Sequence, residues 1–328
     1  MSIKRKYRLP MLLTVFISIW LSGCGNENQT GNSNTKIYYT AIESGSYYEG
    51  WASQLQEQAA AYGMSLDAGY AENSVETQNA QIKQAAANGY NVLMCGLVSP
   101  DTVTEIKASA DNLPIVFINN APEEEQLEQD LYIYVASDEY MAGQYQAEYI
   151  LEQLGSREEI NIAVLKGPKG ASGTVGRTNG LKQTLKASGK KINYVFEDYA
   201  DWNTDKAQEL IELFLKTGKT LDCVAANNDD MALGALAAFE KAGMNTESIL
   251  FLGVDASAAG CQAIAEGRMD FTVYQPMSSQ IQAAVQAAQK LASKQSIKEI
   301  EGASQDGKYI LLPFEKVDRG NVAQYQSE

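Results

Sequence analysis

Histidine is absent from the 328 residues. That omission removes Ser-His and Cys-His nucleophile pairs, imidazole general bases and His-ligated metal sites, so an enzyme on this chain would depend on carboxylates, lysine or tyrosine. Cysteine is scarce, four in all, too few to staple a disulfide scaffold. Basic side chains are outnumbered, 26 against 41 acidic, for a net charge of −15. With 45% apolar residues the composition also excludes a disordered or collagen-like chain. At about 150 residues per domain the length allows roughly two domains with cores of their own.

The amino terminus differs from the rest. Lys4, Arg5, Lys6 and Arg8 precede an apolar run from Met11 to Leu21, long enough for a secretory signal and too short for an ordinary membrane span. The run ends in Leu21-Ser22-Gly23-Cys24. This resembles a bacterial lipoprotein signal, and the resemblance implies export, cleavage and diacylglycerol attachment at the Cys24 thiol. Residues 1–23 are the expected signal peptide and 24–35 a flexible tether, since Gly25 to Thr35 (GNENQTGNSNT) has no apolar residue with which to bury surface. Loss of the first 23 residues removes four of the 26 basic side chains and none of the 41 acidic ones, leaving a net −19. Such a surface repels nucleic acid and anionic headgroups, so no nucleic-acid partner is expected and membrane attachment would come from acyl chains.

From Lys36 onward short β-rich runs alternate with helical segments. Strands are expected at Ile37 to Ile42, Val92 to Leu97, Ile115 to Ile118, Ile133 to Ala136 and Ile162 to Leu165. Further ones follow at Tyr194 to Tyr199, Val224 to Ala226, Leu250 to Val254 and Phe271 to Tyr274. Between them apolar residues recur at helical spacing, as in Trp51, Leu55, Ala59 and Tyr62, or Ala232, Leu236, Phe239 and Ala242. This alternation predicts an α/β protein with two parallel sheets, each covered by helices on both faces. Cys95 and Cys223 fall in strand-like apolar runs and read as small buried hydrophobes, Cys261 falls in a helical stretch, and no disulfide is expected.

A doubly wound sheet binds ligands at the carboxyl ends of its strands. The residues found there include Glu43 to Tyr48, Asn119-Asn120, Ser172 to Arg177, Asp201-Trp202-Asn203, Asn227 to Asp230, Asp255 and Gln275. Planar amides and carboxylates can hold neighbouring hydroxyls, and an aromatic face packs the C–H side of a sugar ring. The set suits a neutral polyol better than a phosphate or a peptide. Each residue alone also reads as a helix cap or turn former. The stretch from Lys166 to Thr174 looks like a Gly-rich anion cradle but lacks the P-loop ending and a complete G-x-G-x-x-G. Asp229-Asp230 stand at a helix start, where carboxylates are stabilised, and Asp230 is expected to cap.

Seven blocks taken in order carry a resemblance: SGSYYEGW (44–51), PIVFINN (114–120), GASGTVGRTNGL (170–181), DYADWNTDKA (198–207), AANNDDMALGAL (225–236), LGVDASAAG (252–260) and FTVYQP (271–276). Together they resemble the type I periplasmic solute-binding proteins of the ribose and galactose group, over about residues 36 to 313. The resemblance implies two doubly wound parallel-sheet lobes joined by a three-crossing hinge, with a ligand in the cleft. The first lobe would hold 36–136 and 276–305, the second 137–275 and 306–328. Crossings would fall near Ala136-Ser137, Gln275-Pro276 and Ser304 to Gly307. It also implies ligand-binding roles for Tyr47, Tyr48, Asn119, Asn120, Trp202, Asn228, Asp255 and Gln275. Asn119-Asn120 stand where ribose-type members carry Asp-Arg. Val175 stands where the family often has a ligand-binding arginine, and Arg177 matches a position more often structural.

The function so implied is non-enzymatic, without cofactor or metal: a monomeric extracytoplasmic lipoprotein that captures a pentose- or hexose-like sugar by lobe closure and delivers it to an ABC importer permease. The alternative is a sensor that presents the bound sugar or polyol to a membrane chemoreceptor or histidine kinase. A glycosidase or isomerase is disfavoured by the absent histidine. A two-lobed repressor would need a DNA-binding headpiece where this chain has its lipoprotein-like signal.

Overall fold

The computed structural model describes residues 35–325, so the expected signal segment, Cys24 and nearly all of the expected tether lie outside the described residues. The first elements are β1 (Lys36–Ala41), α1 (Ser46–Ala61), β2 (Ser65–Tyr70), α2 (Val75–Ala87), β3 (Val92–Gly96), α3 (Val103–Ser109), β4 (Ile115–Ile118) and β5 (Tyr132–Ser137). Then come α4 (Glu139–Leu154), β6 (Glu159–Lys166), α5 (Ser172–Ala187), β7 (Lys191–Tyr199), α6 (Thr204–Leu215) and β8 (Cys223–Ala226). They are followed by α7 (Asp229–Lys241), β9 (Leu250–Leu252), α8 (Ala258–Ala265), β10 (Phe271–Tyr274), α9 (Met277–Ala292), β11 (Tyr309–Leu312) and β12 (Glu315–Asp318).

The strands form two six-stranded sheets, ordered β11-β5-β4-β3-β1-β2 and β12-β10-β9-β8-β6-β7. All pairings are parallel except that of β12, which runs antiparallel to β10 at the edge of the second sheet. The strands read as continuous apolar runs because both faces are covered. In β3, Met94 joins the core with α1 and α9, whereas Leu93 and Cys95 join the core with α2 and α3. In β8, Val224 and Ala226 pack with α6, α7 and α8, and Cys223 and Ala225 with α4 and α5. Cys95, Cys223 and Cys261 are buried, free thiols. This is the α/β architecture of two doubly wound parallel-sheet lobes, both within one compact unit.

The chain passes between lobes after Ser137, at Gln275-Pro276 and at Pro313-Phe314. The last position corrects the expectation of a crossing at Ser304 to Gly307. β11 adds in parallel to the open edge of β5, with Tyr309 opposite Tyr134 and Leu312 opposite Ser137, so residues 306–312 belong to the first lobe. Only β12 and the residues after it return to the second. Thr35, expected in the tether, is 3% exposed, and its carbonyl accepts a hydrogen bond from Ser65 N at 3.1 Å. The first two crossings are tied together where the buried Gln280 Nε2 of α9 donates to Ser137 Oγ at 3.0 Å.

Two glycines set the geometry of the second lobe's inner face. A Cβ on Gly143 of α4 would collide with the Arg177 carbonyl on α5, and one on Gly180 of α5 would collide with the Tyr140 carbonyl on α4. The two backbones therefore touch, and the start of α4 is brought against the first turns of α5.

Candidate functional site

The expected site residues sit just past strand carboxyl ends, after β1, β4, β7, β8, β9 and β10, the position where doubly wound sheets hold ligands. The lobes meet here. Ser172 Oγ of the second lobe donates to the Asn119 carbonyl at 3.2 Å, and Ala121 N donates back to Ser172 Oγ at 3.3 Å. Tyr47 on α1 accepts a hydrogen bond from Asn119 Nδ2 at 3.5 Å while keeping 45% of its surface open. Enclosure of its hydroxyl, then the Asp255 carboxylate across the cleft, raise the Tyr47 pKa. Tyr47, bonded to Asn119 on the first lobe, thus lies within electrostatic reach of Asp255 on the second.

At the centre of the second-lobe wall lies Arg177, buried at 5% exposure. Its five N–H groups are all engaged. Nε donates to Glu139 Oε2 at 2.6 Å and Nη2 to Glu139 Oε1 at 3.4 Å; Nη1 donates to the Asn227 carbonyl at 2.7 Å and to Asp255 Oδ1 at 3.2 Å; Nη2 also donates to Gln275 Oε1 at 3.3 Å. Burial opposes the guanidinium's charge, but Glu139 and Asp255 outweigh it and hold its pKa above the ordinary arginine value. Arg177 is saturated with bonds to its own chain. It acts as a strut that aims Asp255 and Gln275 and has no donor left over for a ligand.

Asp255 differs in this respect. Oδ1 is held by Arg177, Oδ2 takes no hydrogen bond from any described residue, and 37% of the side chain is open. Burial pushes its pKa up to about 6, against the pull of Arg177, with Glu139 and Asp230 adding repulsion. Its neighbour Asp229 is 1% exposed and accepts from Ser257 N at 2.7 Å and from Thr272 Oγ1 at 2.5 Å. These bonds pin the loop that carries Asp255 to β10 and the start of α7. Burial, then Asp255, push the Asp229 pKa up to about 8.

Three of the expected residues have backbones in the left-handed region: Asn119 at φ 62°, Trp202 at 61° and Asp255 at 112°. For non-glycine residues such conformations cost about 1–3 kcal/mol each and cluster where a side chain must be aimed. The Trp202 ring lies against Gly167, where a Cβ would collide with it, and 5.6 Å from the Arg177 guanidinium. Tyr48 contacts Tyr47 edge-on, with centroids 5.1 Å apart, and packs on the first-lobe core.

Two expected residues are occupied with local structure. Asn120 Nδ2 donates to the Leu97 carbonyl at 2.9 Å, tying the loops after β3 and β4. Asn228 Oδ1 accepts from Met231 N at 3.0 Å as the N-cap of α7. The cap is therefore Asn228 and not Asp230, because the residue before the first helical turn holds the extended backbone a cap requires. Buried polar atoms without a partner gather at the same strand ends: Asn119 Oδ1, Thr174 Oγ1 and Asn227 Nδ2.

The site also contains a residue that the sequence reading did not select, Glu139, and it gives Ser172 the contact between lobes and Arg177 a central place. A carboxylate opening a helix directly after a crossing was the available signal for Glu139. Among the described residues no group of three His, Cys, Asp or Glu could hold a metal ion, and no helix is long and apolar enough to cross a membrane.

Two lobes joined by three crossings, with unpaired polar groups and aromatics facing one another at the strand ends, define a two-lobed ligand-binding protein. The periplasmic binding protein domain family matches residues 37–296, and the chain belongs to that family. It is a binding protein and not an enzyme. The chain is 29% identical over 286 residues to the xylitol-binding protein of Mycolicibacterium smegmatis, covering 86% of this chain and 79% of that one. It is 28% identical over 267 residues to the D-galactose/methyl-galactoside binding periplasmic protein of Haemophilus influenzae, covering 77% and 80%. The solved structure of an ABC transporter solute binding protein from Bacillus halodurans with bound myo-inositol superposes with a TM-score of 0.77 at 26% identity, covering 91% of this chain and 99% of that one.

Proposed function

We propose that the protein captures a sugar or polyol in the cleft between its lobes, outside the cytoplasm, and hands it to an ABC importer, while held to the membrane by acyl chains on Cys24. The observation that carries this reading is the meeting of the lobes at their strand ends, where Ser172 of one bonds Asn119 of the other and Tyr47 lies within electrostatic reach of Asp255, whose strut Arg177 stands by the Trp202 ring. Hydroxyls would be shared between the Asn119 amide, the Tyr47 phenol and the free edge of Asp255, and ring C–H faces would pack on the aromatics. The myo-inositol, xylitol and galactoside ligands named for the relatives support a hydroxyl-rich ligand. The lipoprotein-like sequence ending at Cys24 supports the anchor.

The test is a thermal shift of the mature chain against pentoses, hexoses, alditols, inositols, nucleosides and amino acids. A ligand at 100 times its Kd stabilises the native state by about 2.7 kcal/mol. Stabilisation by hydroxyl-rich ligands alone supports the reading; a shift only from an amino acid or nucleoside overturns it. Cys24→Ser should release the protein from membranes without changing its affinity, and retention on the membrane would refute the anchor.

A further inference from the structure

The charges lining the second-lobe wall do not balance. Arg177 is one cation placed between two carboxylates, 2.6 Å from Glu139 and 3.2 Å from Asp255. All five of its donors are used within the chain. The charged groups that act most on Asp255 are Arg177, Glu139 and Asp230, and no lysine is among them. Two lysines of the second lobe's strand-end loops are committed elsewhere: Lys166 lies 3.0 Å from Glu197 and over the Tyr199 ring, and Lys206 is paired with Asp201. One guanidinium against two carboxylates leaves one negative charge over, at the Oδ2 edge of Asp255, which no described residue bonds.

An unpartnered acceptor stands on the opposite lobe. Asn119 Oδ1 is buried and takes no bond, because the same amide has turned its nitrogen toward Tyr47. The Tyr47 hydroxyl oxygen receives that nitrogen only at 3.5 Å, a weak bond. The cleft keeps neutral donors, the Tyr47 hydroxyl proton and the unpartnered Asn227 Nδ2 and Thr174 Oγ1, but among the described residues no cation is paired with the Oδ2 edge of Asp255. A neutral hydroxyl brings one proton to such a site. A primary ammonium brings three protons and the missing charge.

We infer that the ligand this cleft is built for is an amine-bearing polyol, an amino sugar or aminated cyclitol, whose ammonium sits against the Oδ2 edge of Asp255 within reach of Asn119 Oδ1 and Tyr47. The inference rests on the proposed reading of the cleft as a sugar or polyol site and narrows it. The field of the whole chain, with 41 acidic against 26 basic side chains, favours approach of the same cationic ligands.

The experiment is calorimetric titration of the full mature protein at pH 7.5 with matched pairs of probes: D-glucose and D-glucosamine, sorbitol and glucamine, myo-inositol and its monoamino-deoxy analogue. The expected result is that in at least one pair the amine binds about tenfold or more tighter than its hydroxyl partner. That advantage should shrink as salt is raised, and in Asp255→Asn the two members of the pair should bind alike. Neutral members binding as tightly as the amines in every pair, or more tightly, overturn this inference and leave the sugar or polyol reading standing. If no member of any pair binds, while an amino acid or nucleoside does, both fall. An amine preference that survives intact in a folded Asp255→Asn protein, as judged by an unchanged melting profile, also overturns the assignment to this carboxylate.

Discussion

Replacing Arg177 with methionine perturbs the second lobe at its most connected point. The side chain is 6% exposed and its main partner Glu139 is 13% exposed, so the pair is shielded from solvent. Methionine keeps much of the volume and loses all five donors. Glu139 is then left as a buried carboxylate without its cation, and the Asn227 carbonyl loses the bond it received at 2.7 Å. Breaking a buried pair by removing one partner costs about 3–5 kcal/mol. At roughly 2 °C per kcal/mol for a chain of this size, Tm should fall by about 6–10 °C. Chemical denaturation, followed by circular dichroism, gives the free energy directly. The paired replacement Arg177→Met with Glu139→Leu removes both charges and should recover most of the loss, because a buried ion pair and an apolar pair of similar volume are often close in stability. A single-variant loss below about 1 kcal/mol, or a double variant as unstable as the single, would refute the view of Arg177 as a saturated buried strut.

Three further perturbations test neighbouring parts of the argument. Trp202→Ala should leave the fold intact and weaken ligand binding by about 0.5–1.5 kcal/mol beyond the lost contact area; unchanged affinity removes Trp202 from the site. Gly143→Ala drives a methyl into the Arg177 backbone carbonyl, which cannot swing aside, and should cost about 1–3 kcal/mol in a denaturation curve, whereas Gly50→Ala meets open space and serves as the control. Asp255 has its folded pKa raised to about 6 over an unfolded value near ~3.9, so its native carboxylate destabilises the free protein above pH 6, and that penalty fades as pH falls from about 7 toward 4. Binding of a ligand held by that carboxylate should weaken over the same interval, so free-protein stability and affinity change in opposite directions; Asp255→Asn should flatten the affinity profile and make the stability profile shallower, the rest of its slope belonging to Asp229, raised to about 8, and parallel profiles would refute the assignment.

Buried parallel strands were legible because their periodicity is simple: runs such as IVFI and CVAA are apolar throughout, since helices cover both faces. The strands that sequence reading missed lie at sheet edges. β2 (SLDAGY) buries little beyond Leu66, and β12 (EKVD) buries only Val317, so neither carries an apolar run. β11 is four residues long, and its place beside β5 decides where the third crossing falls. Position along the chain was enough to put the candidate residues at strand ends. It could not distribute their hydrogen bonds: Asn120 and Asn228, expected as ligand-binding amides, each commit one amide atom to local structure, to the Leu97 carbonyl and to the α7 amino terminus. Arg177 and Glu139 are 38 residues apart and meet only because Gly143 and Gly180 let two helix backbones touch.

The same guanidinium reaches both of the first two crossings. Glu139 opens α4 directly after the first, Gln275 lies on the second, and Arg177 bonds both while holding Asp255. These bonds make Glu139, Asp255 and Gln275 one block with the second lobe. Rotation of the lobes must then be absorbed on the first-lobe side of those residues, where Tyr47 and Asn119 are carried. Among the described residues, the hydrogen bonds across the cleft are the two made by Ser172, to Asn119 O and from Ala121 N. Two neutral bonds contribute about 0.5–1.5 kcal/mol each, a small barrier to separating the lobes. The balance between open and closed arrangements is therefore left to whatever binds between them, through its difference in affinity for the two. Because Asp255 is fixed to the strut, a ligand that bridges it to Asn119 spends its binding energy on drawing the first lobe in, and little on ordering the second.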